Sequence, residues 1–266
     1  MPARRRVLIL GGSTEASELA RRLADLDRDD VTVSYAGRTT NRTVTPGQVR
    51  VGGFGGASGL ADYLVRERVD VVVDATHPFA ARMPHHAARA CATTGVARLR
   101  VWRSPWEPIE GDRWHDVLDL DAAAALLGEV GARRVFLTTG RQELVPFASV
   151  RHVWFLIRAI EAPETVPFAH ASLVLARGPF NEREELELMR AHQIDVLVTK
   201  NSGGSAAAAK LAAARTLELP VVMVRRPAPP GGPRASSVEE ALRWLDLLGG
   251  PTVRTGQDPP GYARGV

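Results

Sequence analysis

Along most of the chain, short apolar runs rich in Val, Ile and Leu alternate with longer segments in which apolar residues recur every three to four positions. The first pattern belongs to strands buried on both faces and the second to amphipathic helices laid over them, so the alternation predicts parallel strands joined by crossover helices. In the first part, strands are predicted at residues 6–10, 31–35, 48–51, 69–74 and 97–102, with helices at 14–26, 58–66 and 80–93. Arg103-Ser104-Pro105-Trp106-Glu107-Pro108 then breaks the rhythm, because its two prolines bias the backbone to extended conformations. A second series follows, with strands near 134–138, 152–157, 173–176, 195–199 and 221–224 and helices near 121–130, 182–192 and 205–217. Residues 226–233, rich in Pro and Gly, read as a loop, after which Ser237 caps a last helix through Leu248, with Glu240 three residues on as a capping box.

The expected fold class is therefore α/β, built as two parallel-sheet domains. At roughly 150 residues per domain, 266 residues accommodate two. The boundaries expected are 1–103 and 104–250, with 251–266 a flexible Gly- and Pro-rich tail. The single cysteine, Cys91, excludes an internal disulfide framework. The apolar run Val7–Leu10 is too short for a signal or a membrane span, and a cytoplasmic location without membrane partners is expected. The formal net charge is +4 and the pI about 9.8. Basic residues lie beside acids, as in Arg66-Glu67-Arg68, without interleaved aromatics, which argues against a nucleic-acid partner. Only Lys200 and Lys210 are lysine among 34 Lys plus Arg, so each lysine merits a specific explanation.

The strand–turn–helix around Gly11-Gly12-Ser13-Thr14-Glu15-Ala16 places Gly11, Ser13 and Ala16 at the spacing of a dinucleotide fingerprint whose second glycine is serine. Backbone N–H groups at such a helix start face a pyrophosphate, and the Ser13 and Thr14 hydroxyls add donors. The same residues also make an ordinary helix N-cap, and the motif alone does not separate the two uses. Where an NAD site places an acid after the second strand, this chain has Gly37-Arg38-Thr39. A guanidinium clamps a 2′-phosphate bidentately, so the expected cofactor is NADPH, with Arg38 and Thr39 as the discriminators.

Gly52-Gly53-Phe54-Gly55-Gly56 permits close backbone approach to a ligand, with Phe54 either facing a ring or packed inward. The fourth strand ends Asp74-Ala75-Thr76-His77-Pro78-Phe79-Ala80, and ligands of open α/β sheets bind at such C-terminal edges. Pro78 fits the first turn of the next helix, leaving His77 to point into the crevice; the alternative for His77 is a satisfied loop histidine. His85 and His86 are expected on the helix surface, and no metal-ligand spacing is present. Thr138-Thr139-Gly140-Arg141 suits an anionic group. Thr199-Lys200-Asn201-Ser202-Gly203-Gly204-Ser205 leads into an alanine-rich helix whose N-terminus, beside Lys200, is expected to hold an anion. Lys210, mid-helix, is expected to serve only solubility.

Taken together, these motifs in this order resemble the precorrin-6A reductase family of corrin ring (vitamin B12) biosynthesis, over residues 6 to about 248. The resemblance implies an NADPH-dependent oxidoreductase that delivers hydride to a ring double bond of precorrin-6A, giving precorrin-6B, with the cofactor in a crevice between two Rossmann-like domains. It assigns Gly12, Ser13, Thr14 and Glu15 to the cofactor turn, Arg38 and Thr39 to the 2′-phosphate, and Gly53, Phe54, Ala75, Thr76 and His77 to the remaining cofactor contacts. Gly140, Arg141, Lys200, Asn201 and Ser202 are expected to close on cofactor or tetrapyrrole from the second domain, with Arg141, Lys200 and Ser202 toward the substrate. His77 or Lys200 supplies the proton. Hydride transfer is a positioning problem more than an acid–base one, and the substrate's carboxylates suit an arginine-lined cleft. The cobalt complex of precorrin-6A, another anionic small molecule, or nucleotide sensing without chemistry are the alternatives, and the motifs do not fix the oligomeric state.

Overall fold

The computed structural model describes residues 4–37 and 46–249. The first sheet contains β1 (Arg5–Leu10), β2 (Asp29–Tyr35), β3 (Gln48–Val51), β4 (Val71–Asp74) and β5 (Ala97–Val101), connected by α1 (Thr14–Leu26), α2 (Gly56–Arg66) and α3 (Met83–Thr94). The second contains β6 (Arg113–Val117), β7 (Arg134–Leu137), β8 (Trp154–Ala159), β9 (Ala171–Leu175), β10 (Val196–Lys200) and β11 (Pro220–Val224), with α4 (Leu120–Glu129), α5 (Glu182–Ala191) and α6 (Ala209–Thr216). The chain then forms β12 (Arg234–Ala235) and α7 (Val238–Leu247). The strand orders are β12-β5-β4-β1-β2-β3 and β6-β11-β10-β7-β8-β9, and the strands within each sheet run parallel.

Each sheet is covered on both faces, which is why its central strands are continuous apolar runs. On the first sheet, Val7, Ile9, Val71 and Val73 face Leu19 and Leu23 of α1, while Leu8, Leu10 and Val72 face Leu60, Leu64 and Ala90 of α2 and α3. On the second, Val135, Leu137 and Val198 pack with Leu127 of α4, and Phe136, Leu197 and Met223 pack with Met189 and Leu211 of α5 and α6. No helix among the described residues is long and apolar enough to cross a membrane.

The domain division expected from sequence needs one correction. The chain leaves the first sheet after β5 and returns to it at β12, which pairs with β5 through Arg234–Arg100 and Ala235–Val101. Helix α7 buries Val238, Ala241, Leu242 and Leu245 in the core that holds α1. Residues 234–247 thus belong to the first unit, and the second sheet occupies 113–224. Arg5 secures the return: its guanidinium pairs with Asp29 (2.8 and 3.0 Å) and donates to the carbonyl oxygens of Leu245 (2.5 Å) and Gly249 (3.1 Å). Ser237 caps α7 as expected, accepting from the Glu240 N–H. Residues from 250 onward lie outside the described residues.

Lys210 also departs from expectation. Helix α6 starts at Ala209 rather than 205, because residues 206–208 form a turn, so Lys210 falls in the first helical turn and points inward. It is 5% exposed, its Nζ donates to the Ala207 carbonyl (2.5 Å), and it lies 4.7 Å from the centre of the Trp106 ring. Arg158 and Glu185, an ion pair at 2.6 Å, face it from β8 and α5. Burial lowers the Lys210 pKa from 10.5 to about 7, with Glu185 opposing and Arg158 reinforcing the shift. The unfolded chain therefore binds more protons than the native one between about pH 7 and 10.5, and native stability rises with pH across that window. Urea unfolding between pH 6 and 10 is expected to show this rising limb in the wild type and not in Lys210→Met, which gains stability at pH 7 and below. Identical pH slopes for both proteins would refute the buried-amine account.

Candidate active site

The turn after β1 is fixed by packing. A Cβ at Gly11 would come within 2.8 Å of the Tyr35 ring, so only glycine lets the chain pass. Gly12 adopts φ +136°, and among the described residues the only atom within 4 Å of a Cβ there would be the His77 backbone nitrogen. Ser13 caps α1 by accepting from the Ala16 N–H (3.3 Å), and its hydroxyl donates to the Ala75 carbonyl (2.9 Å). The hydroxyl is committed to the fold, joining the β1 turn to the end of β4. Gly12 and Thr14 remain exposed beside the N–H groups of the first helical turn. Glu15 is held by the Arg103 guanidinium at 2.7 and 2.9 Å. Burial pushes the Glu15 pKa up, but the hydrogen bond and charge of Arg103 outweigh it and hold the carboxyl below its usual range.

At the end of β4, Asp74 is completely buried and pairs with Arg100 of β5 at 2.7 Å. Its other oxygen accepts from the Thr76 hydroxyl (2.7 Å) and N–H (3.2 Å), setting the course of the chain into His77. His77 Nδ1 accepts from the Phe79 N–H (3.2 Å), and its carbonyl accepts from the Ala80 N–H (2.8 Å). These bonds close a tight turn around Pro78, so α3 begins only at Met83, with Pro84 in its first turn. The placement of Pro78 in that helix is corrected accordingly. Burial, with the nearby charges of Lys200, Arg103 and Arg226, lowers the His77 pKa from 6.5 to about 3. The imidazole is neutral, and since Nδ1 accepts, its proton sits on Nε2.

Phe54 packs against its own unit. One face lies 3.8 Å from the Arg50 guanidinium and its ring meets Tyr63 edge-on at 5.1 Å. Arg50 also donates to the carbonyls of Gly52 and Gly53 (both 2.6 Å), moulding the glycine-rich loop. A Cβ at Gly59 would fall 1.8 Å from the Phe54 carbonyl oxygen, so the loop docks on α2 only because that position is glycine. Arg38 and Thr39 lie outside the described residues.

From the second sheet, Gly140 turns the chain with φ +102° after Thr139, whose buried hydroxyl has no hydrogen-bond partner among the described residues. Arg141 reaches Glu161 (3.1 Å) and the Ala162 carbonyl (3.0 Å). Lys200 pairs with Glu143 at 2.5 Å and lies 5.1 Å from the centre of the Phe79 ring, so the C-terminal edges of the two sheets meet here. The expected anion-binding helix start beside Lys200 is absent, since α6 begins nine residues later at Ala209. Asn201 spends its side-chain amide on the backbone N–H and carbonyl of Trp106 (2.8 and 2.9 Å), which makes it a clamp on the connecting segment. The Ser202 carbonyl accepts from Arg103 Nε at 2.7 Å.

Glu15 and Ser202 are thus joined through Arg103, and His77, Phe79 and Lys200 lie together. Gly53 and Phe54 stand apart with Arg50, while Arg141 faces the loop after β8. Sequence reasoning missed Arg50, Arg103, Glu143 and Arg226. The position of Arg103 just past a strand's C-terminal end was a usable signal, whereas nothing local marks Glu143 or Arg226. Arg226 donates to the carbonyls of Asn201, Arg103 and Ser104 (2.6, 2.6 and 3.0 Å), and among the described residues it has no ion-pairing carboxylate. Burial and the charges of Arg103 and Arg100, opposed by Glu15, lower its pKa to about 10. The surroundings of His77, with Lys200, Arg103 and Arg226 beside it, are therefore electropositive and suit an anionic ligand. No cluster of three or more His, Cys, Asp or Glu able to hold a metal occurs among the described residues.

The chain matches the family model described as precorrin-6x reductase CbiJ/CobK over residues 6–246. It is 48% identical to the precorrin-6A reductase of Rhodococcus erythropolis, covering 91% of this chain and 98% of that one. A solved structure of a CobK precorrin-6A reductase superposes with a TM-score of 0.88 at 46% identity, covering 93% and 98% of the two chains. The cobalt-precorrin-6A reductase of Salmonella typhimurium is similar at 28% identity, covering 84% and 88%.

NMR of the imidazole ring nitrogens is expected to show His77 in the neutral Nε2–H form from pH 8 down to 5, a range in which an ordinary histidine of pKa 6.5 titrates. A midpoint above about 5 would remove the electropositive, desolvated setting inferred for this residue.

Proposed function

The chain belongs to the precorrin-6x reductase family, and we propose that it reduces one ring double bond of precorrin-6A with NADPH, giving precorrin-6B on the route to cobalamin. The balance is precorrin-6A, NADPH and one proton to precorrin-6B and NADP+. The observation that carries this reading is the meeting of two parallel-sheet C-terminal edges at His77, Phe79 and Lys200, within a chain matched to the family almost end to end.

The residues present fit a dinucleotide. Gly12, open and at positive φ, and Thr14, exposed at the start of α1, offer backbone N–H groups to a pyrophosphate. Arg38 and Thr39 are the residues for a 2′-phosphate, and Ala75, Thr76 and His77 border the nicotinamide end. When bound, the dinucleotide supplies the hydride. Asp74 and Arg100 hold Thr76 in place, and the neutral His77 offers a hydrogen-bond donor at Nε2. A histidine with a pKa near 3 is not an imidazolium at neutral pH, so Lys200, ion-paired with Glu143, is assigned as the proton donor. Gly140, Arg141 and Ser202 are assigned to the substrate side with Lys200 on the resemblance, although Arg141 is directed to Glu161 and the Ala162 carbonyl and the Ser202 carbonyl is bonded to Arg103. The metal-free tetrapyrrole is the preferred substrate, in keeping with 48% identity to a precorrin-6A reductase against 28% to a cobalt-precorrin-6A reductase.

Anaerobic incubation of the purified protein with NADPH and precorrin-6A is expected to give loss of the reduced-nicotinamide absorbance matched by a two-hydrogen mass gain in the tetrapyrrole. NADPH binding without that gain, while the cobalt complex is reduced, would reverse the substrate assignment. Arg38→Ala is expected to raise the KM for NADPH about tenfold to a hundredfold, the equivalent of about 1.5–3 kcal/mol for a hydrogen bond to a charged group, with little change for NADH. An equal effect on both nucleotides would remove Arg38 from the 2′-phosphate site.

A further inference from the structure

We propose that Arg103 couples the dinucleotide turn of the first unit to the glycine-rich loop of the second, so that occupation of one ligand site strengthens the other. The inference rests on the reading above, in which the dinucleotide lies at the β1–α1 turn and the tetrapyrrole in the crevice. Arg103 stands where the chain leaves the first sheet, and its single guanidinium touches both units. It holds both Glu15 oxygens through one terminal nitrogen (2.7 and 2.9 Å) and the Ser202 carbonyl through Nε (2.7 Å).

The loop it holds packs closely on the segment that follows β5. A Cβ at Gly204 would meet the Arg103 side chain at 3.2 Å, and one at Gly203 would come within 2.1 Å of the Ser104 carbonyl oxygen and 2.4 Å of Arg226. Arg226 in turn ties the Asn201, Arg103 and Ser104 carbonyls together. The loop begins at Asn201, directly after Lys200, so its placement sets the placement of the proposed proton donor. On the other side, Glu15 occupies the first turn of α1, beside the N–H groups open to a pyrophosphate. A diphosphate there adds negative charge next to the carboxylate and next to the guanidinium that holds it. The same guanidinium holds Ser202 through Nε, so the charge at the turn and the position of the loop act on one side chain. Linkage then makes the coupling reciprocal.

The test uses the full chain with NADP+, which has no hydride to donate and so permits a stable ternary complex. The affinity for precorrin-6A is measured with and without saturating NADP+, and the affinity for NADP+ with and without precorrin-6A. In the wild type each ligand is expected to tighten the other by the same factor, about fivefold or more. In Arg103→Lys, whose compact ammonium cannot span both contacts, the factor falls toward one, whatever the separate affinities become. Glu15→Gln, which keeps the shape of the side chain and removes its charge, is expected to reduce the factor in the same direction. A loss of affinity with the factor intact is the signature of a merely structural role and would overturn the proposal. So would wild-type binding of both ligands with a factor of one. Failure of the wild type to bind NADP+ at all would overturn the dinucleotide reading, and the coupling with it.

Discussion

An aspartate buried completely at the end of a parallel strand needs a cation of its own, and Asp74 finds Arg100 on the adjacent strand at 2.7 Å. Leaving either partner alone in the interior costs about 3–5 kcal/mol, so the two are obligatory together. What depends on them extends well past β4. The second oxygen of Asp74 fixes Thr76, and through it the turn that presents His77. The Arg100 guanidinium lies 4.6 Å from the centre of the Trp102 ring, and Arg226 lies 5.0 Å from the centre of the same ring. Arg226 grips the Arg103 and Ser104 carbonyls of the chain entering the second sheet and the Asn201 carbonyl just after β10. A single buried charge at one strand end is thereby connected, contact by contact, to the loop that follows Lys200.

The parts of this arrangement that were legible in the sequence are those written in local patterns. The central strands are apolar runs because both faces are covered, and α7 is announced by Ser237 and Glu240 within four residues. The missing strand, β6, is a sheet edge: its Arg113-Trp114-His115-Asp116-Val117 carries exposed polar residues and so lacks the apolar signal of its neighbours. β12 is two residues long and has no periodicity to read. Where α7 docks is a tertiary fact, decided by Leu19, Leu23 and Leu245 sharing one core, and the cap of a helix says nothing of its destination.

The candidate site divides in the same way. Gly11, Gly12, Thr76, His77 and Lys200 stand at strand ends and announce themselves by interrupting apolar runs. Glu15 and Asn201 lie in equally visible motifs, yet their side chains bond to Arg103 and Trp106, partners 88 and 95 residues away. Lys210 shows the limit of reading a charge as a solvated surface group, since turn formation at 206–208 shifts the start of the helix and carries its ammonium into the interior. Motif spacing identifies which residues reach an edge. It does not say which of them the protein has already committed to its own fold.

That commitment bears on the chemistry. Hydride transfer demands two rings held at contact distance, and the pairs around His77 and Lys200 are positional devices. Glu143 steadies Lys200, Asp74 and Arg100 steady Thr76, and burial keeps His77 uncharged. The chain also crosses between the units twice, through the segment after β5 and again before β12, and α7 is buried against α1. Arg226 donates to the Arg103 and Ser104 carbonyls, so the two crossings are tied to each other beside the site. Arg103, which reaches the Glu15 carboxylate of the first unit and the Ser202 carbonyl of the second, lies at that junction, so guanidinium contacts help to set one strand-end edge against the other.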